Sequence, residues 1–237
     1  MFYDMLKYHL ENTDPYDVVI VGDDAALQFA MEYREELFPE IPVVFEGVND
    51  EEYAMKAAEN PLVTGIIEKL SVEKNIDMAL KVNPTADKVV AILDDSVTAD
   101  AERKNFYNSA ENYPELEFSE INAAELETAR LQQAISKVDD KTILIYIVMS
   151  KDGSGKQYTS DQALCMIVDY AKVPVYRMVE AGIGDGLLGG NVVSMYKSGE
   201  IAAQMAMDIA NGTDSAEINV VKDSPNIYCV DEDVMRK

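Results

Sequence analysis

Two pairs of acids carry the clearest chemical potential in this chain. Asp23-Asp24 follows the apolar run Val18 to Val21, and Asp94-Asp95 follows KVVAIL. Adjacent carboxylates at a strand end can hold ligand hydroxyls, amines or a cation. Asp is also a strong helix N-cap, which accounts for one member of each pair and leaves its neighbour available. Lys151-Asp152 after KTILIYIVMS and Glu180 after VPVYRMV are further charges at strand ends, able either to line a cleft or to sit in a solvated loop. No catalytic set assembles around them. The single histidine, His9, stands in the helical segment MLKYHLEN, which leaves no His-cluster metal site and no convincing His-based triad.

Two glycine motifs invite phosphate readings and resist them. Gly184-Asp185-Gly186-Leu187-Leu188-Gly189 fits GxGxxG, but that fingerprint must open a helix, and here the glycines run into the strand-like NVVS. Gly153-Ser154-Gly155-Lys156 lacks the Ser or Thr that a phosphate loop needs after its Lys, having Gln157 instead. Both read as tight loops, where glycine permits close backbone approach.

These residues sit in a repeated strand–helix grammar. In the first block a helix over 2–12 precedes strands over 17–22 and 42–47 and an extended VTGIIE at 63–68, with helices over 24–37, 50–59 and 71–82. The continuous apolar runs predict strands buried on both faces. Asn83-Pro84-Thr85 breaks the pattern, because Pro opposes helix continuation. The second block restarts it: strands over 88–95, 116–122, 141–150, 173–179 and 191–194, with helices over 99–112, 123–138 and 159–172. A helix over 195–212 ends in Asn211-Gly212, a C-cap signal, and the tail reads as short extended pieces. Two such blocks predict an α/β chain of two Rossmann-like lobes, parallel sheets flanked by helices. The first block has no buried strand ahead of its first helix, so an N-terminally truncated first lobe is expected.

Composition narrows the partners. The chain has 237 residues and a net charge of −24, from 44 acids against 20 Lys plus Arg, and no basic cluster. A nucleic-acid binder shows a basic face, so nucleic acid is not an expected partner, and an anionic membrane surface is disfavoured for the same reason. Hydrophobic residues make up 48%, enough for real cores. No run approaches the roughly 18 apolar residues of a membrane span, and no signal peptide is visible. Cys165 and Cys229 have no disulfide or metal spacing; Cys165, in ALCMIVDYA, is expected in the core.

YDVVIVGDDAALQF…YREELFPEIPVVFEGVN, PLVTGIIE and VPVYRMVEAGIGDGLLGGNVVSMYKSGEIAAQMAMDIANG together resemble the ABC-transporter-type substrate-binding proteins, in the version that serves as the sensor domain of bacterial signalling proteins. The resemblance covers roughly residues 16 to 230. It implies a periplasmic-binding-protein fold of type I: lobe 1 from 1–86 plus 195–213, lobe 2 from 87–194 plus 214–237, and a ligand cleft between them that reports binding by hinge closure. Carried over position by position, it implies ligand contacts from Asp23, Asp24, Ala25 and Asn49 in one lobe. In the other it implies contacts from Asp94, Ser96, Thr98, Ser150, Glu180, Gly189 and Gly190. The family often has an aromatic near Arg177 or Met178, and this chain does not. The resemblance implies a non-enzymatic module with no cofactor, catalytic residue or metal ligand. It implies a small polar solute such as an amino acid as ligand, a membrane transporter or a fused kinase or cyclase as partner, and an extracytoplasmic location with the secretion or anchor segment removed. Two rival expectations are a metal-dependent α/β enzyme acting on a small metabolite through its Asp pairs, and a receiver-like domain phosphorylated on Asp.

Overall fold

A computed structural model describes residues 1–236, apart from the side chain of Val97. The chain opens with α1 (Phe2–Glu11), β1 (Val19–Gly22), α2 (Asp24–Glu32), α3 (Arg34–Leu37), β2 (Val43–Val48), α4 (Glu51–Ala57) and β3 (Val63–Ile67). Its middle holds α5 (Val72–Val82), β4 (Lys88–Leu93), α6 (Val97–Ser109), β5 (Glu117–Asn122), α7 (Thr128–Ser136), β6 (Thr142–Tyr146), α8 (Ser160–Tyr170), β7 (Val175–Arg177) and β8 (Gly189–Val192). It closes with α9 (Met195–Ala210), β9 (Ile227–Val230) and α10 (Glu232–Met235). Two compact units result, Met1–Lys69 with Ser194–Pro225, and Leu70–Val193 with the segment from Asn226.

The first unit carries a three-stranded sheet in the order β1-β2-β3, parallel throughout. Leu27 of α2 and Ala54 of α4 pack with Val43, Phe45 and Ile67 on one face. The apolar stripe of α9 (Ala202, Met205, Ala206, Ile209) covers Val44 and Ile66 on the other. Alternate residues of each strand therefore serve opposite layers, which is why Val43 to Phe45 of β2 and Ile66-Ile67 of β3 are apolar at successive positions. Beyond β3 the chain after α9 returns to the edge: Val221 exchanges backbone hydrogen bonds with Gly65 and Ile67, and the Thr64 hydroxyl donates to the Ile218 carbonyl. Strand β1 departs from the expectation of burial. It is the opposite edge of the sheet, none of its four residues is buried, and Ile20 is 48% exposed.

The second unit carries a six-stranded sheet in the order β5-β4-β6-β7-β8-β9, parallel except for the antiparallel pairing of β8 with β9. Val89, Ala91 and Leu93 of β4 and Ile143 and Ile145 of β6 face Ile76 and Ala79 of α5 and Phe106 of α6. Ile92, Leu144 and Tyr146 face Leu131 and Ile135 of α7 and Met166 and Ile167 of α8.

Two segments fall in a different unit from the one expected. Helix α5 lies with the second unit, because its apolar face belongs to the core of β4 and β6, so the boundary follows Lys69 rather than residue 86. The Asn83-Pro84 break is only the turn from α5 into β4. Residues 214–225 lie with the first unit, held by their bonds to β3. Cys165 is exposed rather than in the core, since α8 turns Ala163, Met166 and Ile167 inward.

Candidate ligand-binding loops

In the first unit the polar residues gather where the parallel strands end, the edge at which open α/β sheets take ligands. Asp23 joins β1 to α2 with φ 79° and ψ 158°, and it is the one non-glycine residue with positive φ among the described residues. That backbone region is costly for a side-chain-bearing residue, and such residues cluster at active sites and ligand clamps. The Asp23 carboxylate accepts from the Asp24 N–H at 2.6 Å, so it is the cap of α2. Asp24 reaches across to the next loop, where Asp50 N–H donates to it at 3.0 Å and Asn49 N–H at 3.3 Å. The Asn49 amide donates in turn to the Glu68 carbonyl and carboxylate, both at 3.3 Å. Three strand-end loops are thus tied by one polar chain, Asp24–Asn49–Glu68. Burial holds the Glu68 carboxyl above the usual carboxylate range; Asn49 works against this, and the charges of Glu46, Asp23 and Asp24 reinforce it. Glu68 was not singled out from the sequence, although it ends VTGIIE as the aspartates end their strands. Ala25 is exposed and lines an apolar groove of about 670 Å³ with Leu6, Ile20 and Phe29, beside the open edge of β1.

In the second unit Asp94 ends β4 and is fully buried. It accepts from Ser96 N–H at 3.0 Å, Ser150 N–H at 2.7 Å and the Ser150 hydroxyl at 2.5 Å. Burial alone would push its carboxyl up; the hydrogen bonds from Ser150 and Ser96 outweigh burial and hold it below the usual range. Asp94 therefore works as a clamp that positions the exposed Ser150, and Ser96 caps α6 by accepting from Ala99 N–H. Thr98 is exposed in the first turn of α6. Asp95 accepts from the Asn122 amide at 2.9 Å and pairs with Arg103, which also binds Asp100 and Glu120. Glu180 is exposed, and its carbonyl accepts from Ile183 N–H to start the glycine loop.

Two sequence expectations are revised here, and the order of the glycine loop is as expected. Gly189 and Gly190 are buried inside β8, and packing explains both: a Cβ on Gly189 would lie 2.3 Å from the Cys229 carbonyl oxygen, and one on Gly190 1.8 Å from Asn75 Oδ1. Their role is to admit β9 and the Asn75 amide, which pairs with the backbone of Asn191. Asp152 is not a solvated loop charge. It is buried, accepting from the Ser154 N–H and hydroxyl, Lys156 N–H, the Thr128 hydroxyl and the Tyr158 hydroxyl. The GxGxxG glycines lead into β8 and not into a helix N-terminus.

The structure also brings forward a residue that the sequence offered only as a departure from the family pattern. Arg177, the last residue of β7, lies opposite Tyr146, the last of β6. Its guanidinium carbon is 4.2 Å from the centroid of the Tyr146 ring, a cation–π distance. Nη1 donates to the Tyr146 carbonyl at 2.9 Å and to the Ile147 carbonyl.

Among the described residues no group of three or more His, Cys, Asp or Glu converges to hold a metal ion. No helix among them is long and apolar enough to cross a membrane.

The sequence profile described as ABC transporter substrate binding protein matches residues 10–236. A tyrosine-binding protein of Clostridioides difficile (strain R20291) is 22% identical over 202 residues, which are 83% of this chain and 56% of that protein. The chain thus spans little more than half the length of that relative. Two solved structures share the fold. One is a ligand-free, open substrate binding protein with adhesive properties from Clostridium difficile (TM-score 0.73, 16% identity, 98% of this chain and 76% of the other). The second is an ABC domain in complex with L-Trp from Streptococcus pneumonia (TM-score 0.64, 15% identity, again 98% and 76%). With the profile running through both units, the chain belongs to the ABC transporter substrate-binding protein family.

Proposed function

We propose that this chain is an extracytoplasmic module that captures a small polar solute, an amino acid, through the strand-end loops of its two units. Asp23, Asp24, Ala25 and Asn49 supply contacts from the first unit, and Ser96, Thr98, Ser150 and Glu180 from the second, where the buried Asp94 holds Ser150 in place rather than meeting the ligand. Carboxylates at Asp23 and Asp24 suit an ammonium group, while the backbone N–H groups at helix starts suit an anionic one. A zwitterion meets both. Hinge closure of the units on the ligand then delivers the solute to a membrane transporter or signals to a fused kinase or cyclase. The observation that carries the reading is the profile match across both units, supported by relatives whose names specify tyrosine and L-Trp. A metal-dependent enzyme draws no support from the matched relatives, which are substrate-binding proteins.

The test is a thermal-shift and calorimetric screen against the L-amino acids, with sugars, nucleosides and small anions as contrast. At 100 times its Kd a ligand stabilises the folded state by about 2.7 kcal/mol, which for a chain of this size raises Tm by roughly 5–10 °C. A shift confined to amino acids is expected. Calorimetric silence from all of them at millimolar concentration would refute amino-acid capture.

A further inference from the structure

Arg177 is a cation left half-paired in a chain with net charge −24. Of its three guanidinium nitrogens, only Nη1 is hydrogen-bonded among the described residues, to two backbone carbonyls. Nε is buried with no partner. No carboxylate within the described residues forms an ion pair with it, although 44 acids are present in the chain. The carboxylate that ends the adjacent part of the sheet, Asp94, has its two oxygens committed to Ser96 and Ser150. A buried donor without an acceptor is costly, and a desolvated guanidinium without a counter-charge more so.

The arrangement also has a direction. Nη1 and the Tyr146 ring fix the plane and position of the group at the carboxyl end of β6 and β7, where ligands meet such sheets. What is left over is the Nε–Nη2 edge, whose two parallel N–H bonds match the two oxygens of a carboxylate. We infer that Arg177 is the anion-recognising residue of the ligand site, and that its Nε–Nη2 edge receives the carboxylate of the bound solute. This rests on the amino-acid reading above and deepens it by assigning the ligand's acid group to the second unit. Because Nε is shielded from solvent here, bidentate contact requires an adjustment of the Arg177 side chain, and that adjustment is observable.

The experiment uses protein labelled with ¹⁵N-arginine. The chain has five arginines, so the Arg177 Nε–H resonance is assigned by its loss in Arg177→Met. Three probes are titrated: L-tyrosine, L-tyrosine amide and hydroxyphenylpropionate, which keeps the carboxylate and lacks the amine. The expected result is that tyrosine and hydroxyphenylpropionate move the Arg177 resonance. The amide should bind roughly 100-fold more weakly than tyrosine, as loss of a charge-assisted bidentate contact requires. Arg177→Met should abolish the preference for acid over amide. Equal binding of tyrosine and its amide, with the Arg177 resonance unmoved, overturns the inference and leaves amino-acid capture standing. A shift produced by hydroxyphenylpropionate, with no affinity for tyrosine or any other amino acid, supports the anion site and refutes the amino-acid reading. If no carboxylate perturbs Arg177 at millimolar concentration, the inference fails whether or not the amide binds. The comparison of acid with amide is made on the wild-type chain, so misfolding of Arg177→Met would not affect it.

Discussion

Replacing Asp94 by Ala tests whether the strand-end loops of the second unit are held by one buried carboxylate. Asp94 is fully buried and accepts three hydrogen bonds, from Ser96 N–H, Ser150 N–H and the Ser150 hydroxyl. Alanine leaves these donors without their acceptor. Counting about 1–1.5 kcal/mol for each, the loss is roughly 3–4 kcal/mol. For a unit of this size that lowers Tm by about 10 °C. The assay is urea unfolding followed by far-UV circular dichroism at pH 7, on Asp94→Ala, Ser150→Ala and the double variant. Ser150→Ala removes only the hydroxyl donor, so the cycle should show a coupling of about 1 kcal/mol between the two sites. The pH dependence adds an independent check. The native Asp94 carboxyl is held below the usual range, so its contribution is fully present above the unfolded pKa of about 3.9. It is lost as pH falls through the lower folded value. The stability of Asp94→Ala should therefore fall less than that of the wild type between pH 5 and pH 2. A loss under about 1 kcal/mol, or additive single effects, would refute the clamp.

Asp152 makes a parallel case: its carboxyl is held well below the usual range because hydrogen bonds from Ser154, Thr128 and Tyr158 outweigh burial. Asp152→Ala should cost about 3 kcal/mol, open the 151–157 loop to limited proteolysis, and likewise flatten the acid limb of the stability curve. Glu68 carries the opposite sign. Its carboxyl is raised by burial and by neighbouring acids, so stability is lost as pH rises from the unfolded pKa through the folded one. Glu68→Gln, which keeps the Asn49 acceptor, should raise Tm at neutral pH and leave it unchanged near pH 4. Gly190→Ala should destabilise the second unit by about 3 kcal/mol or more, because the new Cβ would fall 1.8 Å from Asn75 Oδ1. Amide exchange at Asn191 should rise with it, and an unchanged Tm would overturn the packing account.

Much of the architecture was legible before any tertiary contact was known. Buried strands β2, β4 and β6 announce themselves through apolar runs, Val43 to Phe45, Val89 to Leu93 and Ile143 to Tyr146, because both faces of a parallel sheet are covered. Asp23 and Asp94 were visible as acids ending strands; residue type predicted one cap from each Asp pair, which holds for Asp23 at α2, whereas α6 is capped by Ser96. Capping by Asp50 at the start of α4 obeys the same rule. The glycine loop was placed ahead of a strand by its sequence neighbours alone, and that order excluded the dinucleotide reading.

Residue type and spacing thus determined the strand–helix alternation, the parallel sheets and the strand-end position of the polar loops, since periodicity and turn chemistry act over a few residues. Tertiary structure decided what depends on partners distant in the chain. Strand β1 (Val19–Gly22) forms an open edge because it stands at the end of the sheet order, a choice its own apolar run cannot encode. Helix α5 joined the second unit because its apolar stripe met β4 and β6. Asp94 became a clamp only when Ser150, 56 residues on, came within hydrogen-bond reach. Arg177 was one basic residue among twenty until folding buried its guanidinium against Tyr146 and left one edge without a carboxylate. Desolvation and pairing are properties of three-dimensional neighbourhoods, and local sequence does not contain them.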